Sequence, residues 1–160
     1  MNKNFPYKSI LVLCSVGTAR SPMACYFLKD FFSKANLDVR VEYGGIASNA
    51  RDGMMISMDA KLVMEEIGVK LSDSSISLDV KKYPEMIKKA DLILTMTEAH
   101  KREVLKLLNN EKKDIFTIKE FAGLKGDIED PSMKEIEGFR KARDDIIKYL
   151  KLGLKRFNLY

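Results

Sequence analysis

One short segment of the chain, CSVGTARS at 14–21, has residue types and spacing suited to binding a tetrahedral oxyanion. Five residues separate Cys14 from Arg20, which is enough backbone to wrap around one such anion. Amide N–H groups of a loop that leads into a helix can point inward and form an anion nest. The guanidinium of Arg20 adds a planar fork that can bind two phosphate oxygens at once. The sequence therefore predicts a phosphate-binding loop.

Cys14 is the predicted nucleophile of this loop. A helix N-terminus and a neighbouring arginine favour the thiolate over the thiol, and a thiolate can attack without a histidine base. The hydroxyl of Ser21 is close enough in sequence to donate to the sulfur and to favour it as a leaving group. The predicted phosphate-binding residues are Ser15, Val16, Gly17, Thr18, Ala19, Arg20 and Ser21.

A strand and a helix must hold this segment in place. The apolar run KSILVLC at 8–14 predicts a buried strand. After the loop, apolar residues recur at helical spacing from Ala24 to Phe31, which predicts an amphipathic helix. Ser21 suits the N-cap of that helix and Pro22 its first position.

Strands and helices alternate along the rest of the chain. The other predicted strands cover 37–43, 90–96 and 114–118. The other predicted helices lie near 57–67, after Pro84, from the Thr97 cap to about Leu108, and from about Met133 onward. This alternation predicts one α/β domain over 1–160, with a four-stranded parallel sheet of order 2-1-3-4 flanked by helices on both faces. Ligands of such sheets bind beyond the carboxyl ends of the strands, where the loop after Cys14 lies.

The composition disfavours membrane and nucleic-acid functions. Apolar residues make up 46% and charged residues 32% of the chain, as in globular proteins. No apolar run approaches the roughly 20 residues that span a bilayer. The net charge of +5 arises from Lys and Arg interleaved with Asp and Glu, which is typical of solvated helix faces. We therefore expect neither a membrane nor a nucleic-acid partner.

The reactive residue types are few. The single histidine, His100, and two cysteines are too few for a structural zinc site, so no metal is expected. No GxxxxGK or GxGxxG segment occurs, and no nucleotide cofactor is expected. His100 is interpreted as a structural or surface residue. The two cysteines and the absence of a signal-peptide pattern are typical of a protein in the reducing cytoplasm.

The segment VLCSVGTARSPMA resembles the signature of the low-molecular-weight protein tyrosine phosphatase family, usually CxGNxCRSPMA. The resemblance continues through VEYGGIAS, ADLILTMTEAH and IFTIKEFAG to DIEDP, over roughly residues 8–150. It implies a phosphatase that forms a phosphocysteine and acts on phosphorylated proteins. It also implies that an aspartic acid before proline, here Asp130, protonates the leaving group and then activates water. Asp127 and Glu129 are alternative carboxylates in the same loop. The phosphate dianion is expected to raise the pKa of Asp130.

Several positions depart from the family pattern. Gly17 replaces the loop asparagine, whose serine and histidine partners are replaced by Tyr43 and Asp73. Because glycine reaches positive φ unaided, Gly17 removes the need for that network. Val16 replaces a glycine and places a side chain in the loop.

Ala19 replaces the second loop cysteine, so the protective disulfide of the family is absent. Cys25 is interpreted as a packing residue.

The substrate stays open between phosphotyrosine and phosphoarginine. Thr18 stands where tyrosine phosphatases of the family usually have isoleucine and where protein-arginine phosphatases have threonine. Ser132 and Met133 stand where many tyrosine phosphatases have tyrosines. An arsenate reductase and a non-catalytic phosphate-binding module are the alternatives. The first needs additional relay cysteines, and Cys25 alone is poorly suited to that role.

Overall fold

The computed structural model describes residues 5–109 and 111–160. The strands are β1 (Ser9–Cys14), β2 (Arg40–Gly45), β3 (Leu92–Thr95) and β4 (Asp114–Thr117). The helices are α1 (Arg20–Lys34), α2 (Met58–Glu65), α3 (Pro84–Lys89), α4 (Glu98–Leu107), α5 (Ile118–Phe121) and α6 (Glu135–Lys155). A short 3₁₀ turn, Val80–Lys82, precedes α3. Over 5–109 and 111–160, no helix has the length and apolar character needed to cross a membrane.

The strands form one parallel sheet in the order β2-β1-β3-β4, which confirms the predicted topology. Alternate residues of β1 pack on opposite faces. Val12 and Cys14 join the core beneath α1, α2 and α6, whereas Leu11 and Leu13 join the core beneath α3 and α4. Burial on both faces explains why the two central strands, β1 and β3, are continuous apolar runs. The carboxyl end of β1 therefore lies at the centre of the sheet.

Four local predictions need correction. Helix α1 begins at Arg20 with Ala19 at its N-cap, so Ser21 is inside the helix rather than capping it. Strand β2 begins at Arg40, three residues later than expected. Met133 has a φ of 67°, outside right-handed helical space, and α6 begins only at Glu135.

The fourth correction is α5, a one-turn helix that the sequence analysis missed. Its start is fixed by a capping box in which Thr117 and Glu120 bond each other's backbone N–H. This short helix continues directly from β4 and leads the chain toward the DP segment.

Candidate active site

In the loop between β1 and α1, backbone carbonyl groups accept hydrogen bonds from neighbouring segments. The carbonyl of Cys14 accepts from the Ile46 N–H at 3.0 Å, that of Ser15 from Ala47 at 3.0 Å, and that of Thr18 from Ser57 at 2.9 Å. In contrast, the N–H groups of residues 16–19 have no backbone acceptor in the part of the chain that the structure describes. The loop borders an open cavity of about 40 Å³, lined by residues 14–20, Asp130 and Ser132. A small oxyanion fits a cavity of this kind.

Gly17 allows the loop to close against strand β2. Its φ is +86°, as expected for a glycine that needs no supporting network. A Cβ at Gly17 would lie 2.8 Å from the Gly44 carbonyl carbon, and a Cβ at Gly45 would lie 2.5 Å from the Val16 oxygen. The loop backbone therefore touches the double glycine of β2. Val16 is half-buried in this arrangement and lines the cavity without filling it.

The sulfur of Cys14 lies at the base of this loop and is bonded to Ser21. Cys14 is 3% exposed. Its thiol donates to Ser21 Oγ at 3.1 Å, and the Ser21 hydroxyl donates to the Gly44 carbonyl at 3.2 Å. Ser21 is fully buried, and among the described residues its hydroxyl hydrogen-bonds only to the Cys14 sulfur and the Gly44 carbonyl.

Arg20 joins the phosphate loop to the DP segment. Its guanidinium is buried, with Nη1 donating to the Ile128 carbonyl at 2.8 Å and Nη2 donating to Ser15 Oγ at 3.3 Å. The carboxylate of Asp130 lies 4.0 Å from Nη2. One side chain thus contacts both the phosphate loop and the DP segment.

The three carboxylates of the DP segment have different surroundings. Asp127 accepts from the Glu98 N–H at 2.9 Å, at the N-terminus of α4. Glu129 pairs with Lys134 on the surface. Only Asp130 lines the cavity.

The pKa of Asp130 is lowered by its protein surroundings. Burial raises it, but the hydrogen bonds from Ser132 and the charge of Arg20 lower it more, so the net pKa is below the ordinary value. The protein alone therefore favours the carboxylate form at neutral pH. The rise in the pKa of Asp130 that the sequence predicts would therefore require the charge of a bound phosphoryl group.

Comparison with known proteins decides the family. Residues 9–157 match the family described as low molecular weight phosphotyrosine protein phosphatase. The chain belongs to this family. It is a cysteine-dependent phosphatase, and the family acts on phosphorylated protein side chains.

Three relatives illustrate the match. The phosphatase is 37% identical over 142 residues to a protein-arginine-phosphatase of Geobacillus stearothermophilus, covering 88% of this chain and 89% of the relative. It superimposes on the low molecular weight protein tyrosine phosphatase of T. tengcongensis with a TM-score of 0.84 and 29% identity, covering 92% and 98%. It superimposes on a mutant of the arginine phosphatase YwlE with a phosphorylated active-site serine, with a TM-score of 0.83 and 26% identity, covering 94% and 95%.

His100 contacts the active-site loop of the phosphatase, which the sequence analysis did not foresee. It is 6% exposed at the start of α4, where its N–H donates to the Thr97 side chain. Its ring Nε2 lies 2.8 Å from Ser15 Oγ. Burial, with a smaller effect of Arg20, lowers the pKa of His100 to about 4, so the ring is neutral at physiological pH. Because the two residues are 85 positions apart in the sequence, no local pattern signals this contact.

The second cysteine of the phosphatase is a packing residue. Cys25 is fully buried, and its thiol donates to the Val41 carbonyl at 3.5 Å. Burial raises the pKa of this thiol to about 12, which keeps it protonated and unreactive. Both cysteines are free thiols.

The positions of the missing family network have other contacts. The Tyr43 hydroxyl donates to the Ile76 carbonyl at 2.9 Å, and Asp73 is exposed. Over the described ranges, no three His, Cys, Asp or Glu side chains cluster as a metal site would require.

Proposed function

We propose that this phosphatase removes the phosphoryl group from phosphoarginine side chains of proteins. The observation that supports this choice is the wall of the cavity. Thr18 supplies a polar side chain, and the lining residues of the described structure include no aromatic ring to stack on a phenol. A guanidinium needs polar neighbours for its N–H groups, whereas a phenol is favoured by apolar or aromatic contact. The 37% identity to a protein-arginine-phosphatase points the same way.

In the first step, the Cys14 thiolate attacks phosphorus. An S–P bond forms, and the bond from phosphorus to the leaving guanidine nitrogen breaks. Asp130 gives its proton to that nitrogen, which leaves as a neutral guanidine group before taking up a proton from water. The N–H groups of the loop and the Arg20 fork stabilise the charge on the other phosphoryl oxygens.

In the second step, water hydrolyses the phosphocysteine. Asp130, now a carboxylate, takes a proton from the water while the water oxygen bonds to phosphorus. The S–P bond breaks at the same time. The sulfur leaves as a thiolate, and inorganic phosphate is the product. We expect inorganic phosphate to bind the same loop and to inhibit.

Ser21 supports both steps by changing the direction of one hydrogen bond. Its hydroxyl has a single proton and lies beside both the sulfur and the Gly44 carbonyl, at 3.1 and 3.2 Å. Beside a thiol, it donates to the carbonyl and accepts from sulfur. Beside a thiolate, it donates to the sulfur, because a charged acceptor forms the stronger bond.

The charge of the substrate raises the pKa of Asp130, which then takes up a proton from the solvent. The dianionic phosphoryl group raises the cost of a second negative charge nearby, which favours the carboxylic acid. Arg20 Nη2 lies 4.0 Å from the Asp130 carboxylate, beyond hydrogen-bond distance, so protonating Asp130 breaks no direct hydrogen bond to Arg20. We infer a reducing compartment such as the cytoplasm, where a thiolate nucleophile is protected from oxidation.

The two alternatives receive less support. Arsenate reduction needs a second cysteine that can attack a disulfide, and the Cys25 thiol is buried with a pKa of about 12. A non-catalytic binding module does not require a carboxylate at the mouth of the cavity, where Asp130 lies.

The test is a kinetic comparison on two peptides of one sequence that carry phosphoarginine or phosphotyrosine. We expect kcat/KM to favour phosphoarginine by at least about tenfold. Thr18→Ile should shift the ratio toward phosphotyrosine, whereas Thr18→Ser keeps the hydroxyl and should preserve it. A preference for phosphotyrosine in the unaltered protein would overturn the assignment, as would a ratio that Thr18→Ile leaves unmoved.

A further inference from the structure

A chain of three polar side chains lies behind the phosphate loop. His100 Nε2 lies 2.8 Å from Ser15 Oγ, and Ser15 Oγ accepts from Arg20 Nη2 at 3.3 Å. Arg20 continues to the Ile128 carbonyl at 2.8 Å. His100 and Arg20 are buried, so water competes little for these contacts. Ser15 belongs to the wall of the cavity.

The other ring nitrogen of His100 fixes the direction of the first contact. Nδ1 is buried and has no hydrogen-bond partner among the described residues. A neutral imidazole carries one proton, either on Nδ1 or on Nε2. A proton on Nδ1 would be a buried donor without an acceptor, which is rarer and more costly in proteins than an unpaired acceptor. The proton therefore belongs on Nε2, from which it is donated to Ser15.

This assignment determines what the Ser15 hydroxyl does. A hydroxyl oxygen has two lone pairs, and here one accepts from His100 and the other from Arg20. The Ser15 proton can then point to neither of them. The free direction is toward the cavity that Ser15 lines, where a phosphoryl oxygen would accept it.

We propose that His100 is a positioning residue, which holds Ser15 as a donor to the bound phosphoryl group and as an anchor for the Arg20 guanidinium. This rests on the proposed binding of a phosphoryl group in the loop, but it does not depend on which phosphorylated side chain is the substrate. The neutral state of His100 is part of the arrangement. A second positive charge beside Arg20 would repel the guanidinium from Ser15.

The first test is spectroscopic and needs no turnover. Because the chain has one histidine, ¹⁵N-histidine labelling gives a single pair of ring nitrogen signals. We expect the signals of a neutral ring with its proton on Nε2, and we expect both to move when inorganic phosphate is added. Ser15→Ala should remove most of that movement. A proton on Nδ1, or an identical response in Ser15→Ala, would overturn the proposal.

The second test separates positioning from folding. Ser15→Ala and His100→Leu should each weaken inhibition by inorganic phosphate, and lower kcat/KM, by about tenfold. The double variant should lose little more than either single variant, because both remove the same contact. His100→Gln, which keeps a side-chain N–H donor, should recover most of the affinity. Additive losses in the double variant, or no recovery with His100→Gln, would contradict the proposal.

Thr97→Ala supplies the matched structural control. It removes the side-chain cap on the His100 N–H, at 3.1 Å, without removing a group that bonds Ser15. We expect lower stability but unchanged phosphate inhibition. If Thr97→Ala weakens phosphate inhibition as much as His100→Leu does, the role of His100 is structural only and the proposal is overturned. If His100→Leu does not fold, Ser15→Ala and the ring nitrogen signals decide the question.

Discussion

The two halves of the active site are built differently. In the phosphate loop, Cys14, Arg20 and Ser21 are at most 4% exposed, and three carbonyl groups are tied to neighbouring segments. In the DP segment, the side chain of Asp130 is 55% exposed and Met133 is fully exposed. That segment is held near the loop by Ile128, which bonds Met96 and Arg20.

This difference matches the two kinds of chemistry. Stabilising charge on a phosphoryl group requires donors that are already oriented, because reorienting them during reaction costs free energy. An acid that becomes a base must meet the leaving group first and water later, and this favours an exposed position. Changes to the phosphate-binding donors of the loop should therefore weaken phosphate binding, whereas changes at Cys14 and Asp130 should affect chemistry.

The largest effect is expected at the nucleophile. Cys14→Ser should lower kcat by at least about 10⁴-fold, because a serine hydroxyl in this loop has no adjacent base to activate it. Phosphate binding should be retained, since the loop amides and Arg20 are untouched. Steady-state kinetics and calorimetry measure the two properties. Cys25→Ala is the control, and it should keep full turnover. If Cys14→Ser keeps more than about 10⁻⁴ of the original kcat, the nucleophile lies elsewhere.

A smaller loss, which depends on the leaving group, is expected at the acid. Asp130→Asn should lower kcat by about 10³-fold on phosphoarginine, whose nitrogen must be protonated to leave. On p-nitrophenyl phosphate the loss should be much smaller, because that leaving group needs little proton assistance. Glu129→Gln is the matched control, and we expect kcat within about twofold of the original because Glu129 pairs with Lys134 on the surface, outside the cavity. Equal losses on both substrates would argue against Asp130 as the acid.

His100 links folding to pH. Burial and then Arg20 lower its pKa to about 4, although Asp127 and Asp130 raise it. As pH falls, the unfolded chain takes up a proton near pH 6.5, whereas the folded protein does so only near pH 4. The contribution of His100 to the free energy of unfolding is therefore fully present above about pH 6.5 and is lost as the pH falls toward 4. The total change is roughly 3 kcal/mol.

Urea unfolding between pH 7 and pH 5 measures this slope. In His100→Gln the slope should be much smaller, because no other histidine titrates in this range. Equal slopes in the two proteins would show that His100 is not held neutral by its surroundings.

The smallest effect tests the close approach of the loop to β2. Gly17→Ala should lower the free energy of unfolding by roughly 2 kcal/mol or more, because both the positive φ and the Gly44 backbone oppose a Cβ. Gly68→Ala is the control, with a similar φ of +80° and no atom within 4 Å of the added Cβ. It should cost only the backbone strain, roughly 1 kcal/mol. Equal losses in chemical denaturation would mean that the contact with β2 is unimportant.

Features encoded locally were predictable from the sequence. Strands β1 and β3 were found because burial on both faces makes them apolar runs, and the positive φ of Gly17 followed from glycine replacing asparagine. The N-cap assignment of Ser21 was wrong because its hydroxyl lies between the Cys14 sulfur and Gly44 instead.

Features that depend on distant contacts were not predictable. The surroundings of Asp127 and Asp130 differ because of α4 and Arg20, neither of which is near them in sequence. The contact between His100 and Ser15 exists only once β1 and β3 are adjacent in the sheet. Long-range packing, rather than residue type, decides these roles.

The most direct measurement of the central claim is alkylation by iodoacetamide at pH 6, where an ordinary thiol reacts slowly because it is mostly protonated. If Cys14 is a thiolate held in an anion-binding loop, mass spectrometry should find one rapid adduct on Cys14 and none on Cys25. Inorganic phosphate should protect Cys14. Slow modification of Cys14, or a rate that phosphate leaves unchanged, would contradict the account.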